Sequence, residues 1–214
     1  MEKDYSLMIF DLDGTLIDSI SVWEDVDIRW LKRHGITPTK EILDDFKTMD
    51  FSDAVIYAKT NLGVKEEKEV LFSEWTDMVF SAYSNEIMLK PFAKDILEKY
   101  KSEGKNLYLA TSCQKDCCFA VLKNLGIDCY FEKIFFTQDI GKGKAFPDIY
   151  EECVKESGFS RDKILVFDDI YDALTSSHAA GLDFCCVYDE KTSKPLSLLK
   201  EKSEYFIESF KELL

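Results

Sequence analysis

Short apolar, β-prone runs alternate along this chain with stretches patterned as helices, and that alternation admits few folds. The runs fall near residues 6–11, 106–111, 133–138, 164–169 and 183–189. Helical patterns fill much of 92–103, 114–125, 147–157, 172–180 and 195–212. Repetition of strand, helix and strand is the pattern of a parallel sheet wrapped by helices. The fold class expected is α/β, a doubly wound parallel-sheet core. In open sheets of this kind functional groups gather beyond the C-terminal ends of the strands. Asp11, Thr111 and Asp169 all occupy that end of their expected strands. Residues distant in sequence should therefore meet on one edge of the sheet.

One segment breaks the alternation. Helical patterns near 21–35, 39–47, 52–61 and 66–84 follow one another with no comparable strand run between them. In the first, Trp23, Val26, Trp30 and Leu31 recur at helical intervals and Gly35 supplies a stop. The organisation expected is an α/β core built from residues 1–17 and 90–214, with an α-helical insertion over 18–89. Trp23, Trp30, Phe72, Trp75 and Phe80 are expected to form the core of the insertion. His34 and His178 read as structural residues near helix C-termini.

The first apolar run, Ser6-Leu7-Met8-Ile9-Phe10, ends abruptly on Asp11-Leu12-Asp13-Gly14-Thr15-Leu16. Continued strand alternation would turn Leu12 into the core and both acids the other way. Two carboxylates this close repel each other unless a cation joins them or one is protonated. At the C-terminal edge of a strand the cation expected is Mg²⁺, which favours a few carboxylates, several waters and a phosphate oxygen. The segment is a candidate phosphoryl-transfer centre.

Composition narrows the partners. The chain has 214 residues, 27 of them Lys or Arg against 41 Asp or Glu, for a formal charge of −14. So acidic a chain argues against a nucleic-acid surface. No apolar run approaches the roughly 18 residues needed to span a membrane. Glu2, Lys3 and Asp4 lead directly into the first strand without the pattern of a signal peptide, and the expected location is cytoplasmic. The seven cysteines include no Cys-x-x-Cys pair, which points to reduced thiols and away from a zinc site. Cys185 and Cys186 sit in an apolar run and read as strand packing, whereas Cys113 is a candidate for reaching the site. Nothing in the sequence fixes an oligomeric state.

Four motifs in order resemble those of the haloacid dehalogenase superfamily, in its phosphatase and phosphomutase branch. They are Phe10 to Ser19, Leu107 to Ser112, Lys144 to Tyr150, and Ile164 to Asp169 followed by Ala179-Ala180-Gly181. The resemblance spans essentially the whole chain and implies a Rossmann-like core with a helical cap inserted after the first motif. It implies that Asp11 is a nucleophile forming an aspartyl phosphate, and that Asp13 is the general acid and base, with its backbone carbonyl on the metal. Thr111 and Ser112 would bind the phosphoryl group, and Lys144 would balance its charge. Asp169 matches the metal-ligand carboxylate, with Asp168 a metal-site carboxylate beside it. Asp172 is a candidate for an outer position or a plain helix N-terminal acid.

The chain departs from the family pattern at Ala145, where proline is usual, at Ile170, where a small polar residue is usual, and at Ala173, where many relatives carry an acid. Lys47 resembles the lysine of a mutase substrate loop, but Phe51 falls where that loop uses arginine, and Thr15 has the phosphatase form. The function implied is a Mg²⁺-dependent phosphatase acting on a small-molecule phosphate monoester. The alternatives are a sugar phosphomutase related to β-phosphoglucomutase and, in a different class, a non-catalytic phosphate switch resembling a response-regulator receiver. The receiver has no use for Asp13 and lacks a long helical insertion.

Overall fold

The structure of the chain, a computed structural model, describes residues 3–46, 49 and 51–214. Its strands are β1 (Leu7–Phe10), β2 (Asn106–Thr111), β3 (Lys133–Phe136), β4 (Ile164–Asp168), β5 (Asp183–Val187) and β6 (Tyr205–Ile207). Every residue of β1 and of β4 is buried, because both faces of these interior strands are covered. All pairings are parallel, in the order β3-β2-β1-β4-β5-β6. The chain winds outward from β1 in one direction through β2 and β3, then from β4 in the other. The reversal lies between β1 and β4, where this topology opens a crevice beyond the strand ends. Phe10 pairs with Leu109 on one side and Phe167 on the other, which sets the register of everything that follows.

The helices are α1 (Ile20–Arg33), α2 (Lys40–Phe46), α3 (Phe51–Asn61), α4 (Lys68–Asn85), α5 (Ala93–Ser102), α6 (Lys115–Asn124), α7 (Thr137–Ile140), α8 (Asp148–Ser157), α9 (Tyr171–Ala179) and α10 (Leu196–Lys202). On one face of the sheet, Ile9 and Val166 join a buried cluster with Ile149 of α8 and Leu174 of α9. On the other, Phe10 and Phe167 stack with ring centroids 4.5 Å apart and an interplanar angle of 11°. Tyr100 of α5 and Phe210 pack against this pair.

The chain divides into two compact units, Met1–Asp18 with Met88–Leu214, and Ser19–Ile87. The second contains α1 to α4. Its centre includes Trp30, Leu31, Phe46, Val55, Ala58 and Leu71. Trp23 and Trp75 lie against each other at 5.3 Å, and their indole N–H groups donate to Tyr83 Oη and Asp27 Oδ1, both at 3.1 Å. Phe72 and Phe80 are not core residues: they are 45% and 43% exposed. Spacing by four along α4 puts Phe72, Thr76 and Phe80 on one stripe, turned away from the stripe of Leu71, Trp75 and Met78.

Two boundaries differ from the sequence pattern. The helix expected over 195–212 ends at Lys202, and the chain then forms β6 and a short 3₁₀ turn at Phe210–Leu213. Tyr205, Phe206 and Ile207 are aromatic and β-branched, and parallel pairing with Cys185 to Val187 outweighs a helical spacing. Ser209 stops that strand with a capping box, accepting from Lys211 N while Glu212 accepts from Ser209 N at 3.0 Å. The third strand likewise ends at Phe136, and Thr137–Ile140 turns into α7. All seven cysteines are free, and among the described residues no helix is long and apolar enough to cross a membrane.

Phe167→Ala should cost about 3–5 kcal/mol, since it removes a fully buried ring from the stacked pair. Chemical denaturation followed by far-ultraviolet circular dichroism measures this. All three tryptophans lie in the helical unit, so their fluorescence is the wrong probe for the sheet.

Candidate active site

β1 stops at Phe10, and the ladder continues only through Asp11 N, which donates to Phe167 O at 2.9 Å. The chain then turns. Leu12 O accepts from Leu16 N at 2.9 Å and from Ile17 N at 3.0 Å. Leu12 is buried as the sequence pattern suggests, but strand alternation is not the reason, because Asp11 to Asp13 belong to the turn and not to the strand. Gly14 makes the turn possible. It has φ +80°, and a Cβ there would lie 2.6 Å from Asp169 Oδ2.

The pairing of Phe10 with Phe167 sets Asp168, at the end of β4, beside Asp11. Asp11, Asp168 and Asp169 are all buried, and one carboxylate oxygen from each lies within 4.8 Å of the others. Lys144 enters from the loop before α8 and forms ion pairs with Asp11 and with Asp168 Oδ2, the latter at 2.7 Å. Its loop is pinned from behind by Ser176 Oγ, which donates to Lys144 O at 2.6 Å. The other oxygen of Asp168 accepts from Asp169 N at 2.9 Å and Ile170 N at 3.1 Å. Asp168 thus holds both Lys144 and the turn that presents Asp169. The oxygens of Asp169 accept from Thr15 Oγ1 at 2.9 Å and from Thr192 Oγ1.

Three buried carboxylates face one buried ammonium, leaving an excess of negative charge. Burial pushes Asp11 well above the ordinary carboxylate range; Lys144 opposes this, and Asp168, Asp169 and Asp13 add to it. Burial and then Asp168 push Asp169 up to about 7, against the pull of Thr192 and Thr15. Burial works against the charged form of Lys144, but Asp11 and Asp168 overcome it and hold the ammonium above its usual range. A set of hard oxygen donors with unbalanced charge fits a divalent cation such as Mg²⁺.

Thr111 ends β2 at the same edge as Asp11. It is fully buried, and its Oγ1 accepts from Cys113 N at 3.0 Å. Ser112 is exposed and Asp13 is partly buried. Cys113 is buried; its burial and the charge of Asp13 push the thiol well above its usual range, so it stays protonated and unreactive. Asp172 is exposed in the first turn of α9 and stands outside the carboxylate cluster. Lys47, Thr48 and Asp50 lie outside the described residues, as does the side chain of Phe51.

Sequence reasoning missed several residues. Thr15 reads as a mark of the phosphatase form, yet its hydroxyl orients Asp169. Thr192, Ser193 and Ser176 carry no signal at all, because hydroxyls in a polar turn or on a helix look ordinary until the fold brings them to a carboxylate or a backbone carbonyl.

Sheet order and the acidic cluster at the strand reversal define an α/β protein with its site at the topological switch point. Residues 8–187 match the haloacid dehalogenase-like hydrolases, and the chain belongs to that family. It is 23% identical over 176 residues, 82% of each chain, to the phosphorylated carbohydrates phosphatase of Thermotoga maritima. Among solved structures, a protein provisionally described as a β-phosphoglucomutase, also from Thermotoga maritima, superimposes with a TM-score of 0.86 at 21% identity over 94% of each chain. YfnB of Bacillus subtilis, provisionally described as a haloacid dehalogenase hydrolase, solved bound to magnesium and described as showing interdomain movement, gives 0.79 at 19% identity over 99% of this chain and 97% of its own.

An acid whose pKa is higher folded than unfolded binds its proton more tightly in the folded state. Stability then falls as pH rises from the unfolded value, 3.8, through the folded one, about 7 for Asp169. In the presence of a chelator, wild type should therefore lose melting temperature relative to Asp169→Asn between pH 4 and 7. Parallel pH profiles of the two proteins would contradict the charge excess.

Proposed function

We propose that this protein is a Mg²⁺-dependent phosphatase that hydrolyses a small-molecule phosphate monoester through an aspartyl phosphate on Asp11. The observation that carries the reading is the placement of Asp11: it is buried at the switch point, paired with Lys144 and within 4.8 Å of Asp168 and Asp169. A carboxylate so placed has its charge balanced on one side and a cation site on the other. Asp11 and Asp169 are the residues to hold the ion, with Asp168 beside them and the carbonyl of Asp13 as the family resemblance implies. Mg²⁺ bound there supplies the positive charge that lets a carboxylate approach a phosphate dianion.

The remaining roles belong to the chain's own residues. Asp11 attacks phosphorus, and the bond to the leaving alkoxide breaks as Asp13 donates a proton to it. Asp13, now ionised, takes a proton from the water that attacks the aspartyl phosphate, which frees Asp11 and inorganic phosphate. Lys144 stays protonated and offsets charge on Asp11 and the transferring group. Thr111 Oγ1 already accepts one backbone N–H, so its own hydrogen is left to bind a phosphoryl oxygen, and Ser112 stands next to it. The helical unit, residues 19–87, acts as a cap that limits water during transfer and moves to release product. The interdomain movement described for YfnB of Bacillus subtilis supports that role. The phosphatase named among the curated relatives supports hydrolysis of sugar phosphates over phosphomutation.

Asp11→Asn should keep the wild-type circular dichroism and cooperative melting while losing phosphate release by roughly a thousandfold or more. Near-normal turnover in the purified variant would sink the mechanism. Activity should also vanish in EDTA, return with Mg²⁺ and fall when Ca²⁺ is added, because Ca²⁺ takes more oxygen ligands and can engage both oxygens of the nucleophile. A panel of phosphorylated sugars, assayed for free phosphate against isomerised sugar phosphate, measures hydrolysis against phosphomutation.

A further inference from the structure

The two connections between the units are stitched together within the sheet-bearing unit. Asp18 N donates to Met88 O at 3.0 Å, Lys90 N donates to Leu16 O at 2.9 Å, and Ile17 and Leu89 form an antiparallel bridge between them. The side chain of Lys90 then leaves this ladder for the loop after β5. Its ammonium pairs with Asp189 Oδ2 at 3.0 Å and donates to Tyr188 O at 3.3 Å. Only 14% of the Lys90 side chain and 12% of the Asp189 side chain are exposed.

Asp189 is the hub of that loop. Its other oxygen accepts from Lys191 N at 2.9 Å and from Thr192 N at 3.3 Å. Asp189 N donates to Ser193 Oγ at 2.9 Å, and the same hydroxyl donates to Asp169 O at 2.9 Å. Thr192 Oγ1 donates to Asp169 Oδ2. An unbroken chain of polar contacts therefore runs from the linker ladder, through one ion pair and one five-residue loop, to both the backbone and the carboxylate of Asp169.

We propose that the Lys90–Asp189 ion pair is a positioning strut, which fixes loop 189–193 so that Thr192 and Ser193 aim the Asp169 carboxylate. The strut ties the orientation of a cation-binding carboxylate to the linkers through which any movement of residues 19–87 must pass. Removing one partner strands a largely buried charge, and the loop must rearrange to solvate it. Ligands to a metal are sensitive to such outer contacts, whose loss commonly weakens metal affinity 10- to 100-fold. Lys90 and Asp189 would touch neither substrate nor cation, so both act through Asp169. The part of this inference that concerns cation affinity rests on the proposed Mg²⁺ site; the part that concerns the loop does not.

The test compares wild type with Lys90→Met, Lys90→Arg and Asp189→Asn. Lys90→Met keeps an unbranched side chain, shorter by the terminal nitrogen, and removes its charge. Asp189→Asn keeps an oxygen for Lys191 N and Thr192 N but loses the ion pair, and it stands in if Lys90→Met fails to fold. Hydrogen exchange is measured without metal, and the Mg²⁺-dependent rise in melting temperature is measured with the metal alone. Faster exchange in 189–193 and at Asp169 and Ile170 is expected in Lys90→Met and Asp189→Asn. The same two variants should need 10- to 100-fold more Mg²⁺ for half the thermal shift, with both properties restored in Lys90→Arg.

Wild-type exchange in a folded Lys90→Met or in Asp189→Asn would overturn the strut, since loop caps alone would then suffice. So would altered exchange with an unchanged Mg²⁺ requirement, because the loop would not be aiming Asp169. A wild-type protein indifferent to Mg²⁺ would remove the proposed cation site and leave the exchange result to decide the loop.

Discussion

Concentrated negative charge in a buried crevice is the constraint around which the sheet-bearing unit is organised. Asp11, Asp168 and Asp169 meet where water is scarce, and burial there resists the ionisation of Asp11 and Asp169. Lys144 supplies one positive charge and is itself held between two of the acids. Threonine hydroxyls and backbone amides donate to the remaining oxygens of Asp168 and Asp169. The glycine at position 14 follows from the same crowding, because Asp169 occupies the space a side chain would need.

A parallel sheet is well suited to carry such a cluster. Its interior strands bury both faces, so β1 and β4 are fixed by apolar packing from each side and their register is not free to slip. The stacked Phe10 and Phe167 lie one residue before the acids and transmit that register to them. Rigid strands end there and turns begin. The acids gain fixed positions from the former and access to ligand from the latter.

The insertion after the first motif gives the fold a second body that holds α1 to α4, reached through two linker segments hydrogen-bonded to each other. Those linkers are not bare tethers. Their mutual hydrogen bonds and the Lys90–Asp189 pair join them to the loop that clasps Asp169. The same network that satisfies a buried carboxylate therefore has one end at the point where the chain leaves for the helical unit.

The sequence by itself determined the parallel-sheet class, five of the strands along the chain and the acids that follow the first and fourth of them. Each rests on local patterning: apolar runs of strand length, and carboxylates where the runs ending at Phe10 and Phe167 stop. It also held the four helices of the insertion in their periodicity. Tertiary structure decided what local pattern cannot contain. Tyr205 to Ile207 became a strand because Cys185 to Val187 offered an edge, and Phe72 and Phe80 stayed exposed because the apolar stripe of α4 faces elsewhere. Thr192, Ser193 and Asp189 form an ordinary polar turn in sequence. Only a fold that carries residues 189–193 back to Asp169, twenty or more positions away, makes hydrogen-bond donors of its hydroxyls and an ion-pair partner of its carboxylate. Patterning reads what a residue does to its own segment; contacts between segments exist only once the chain has closed.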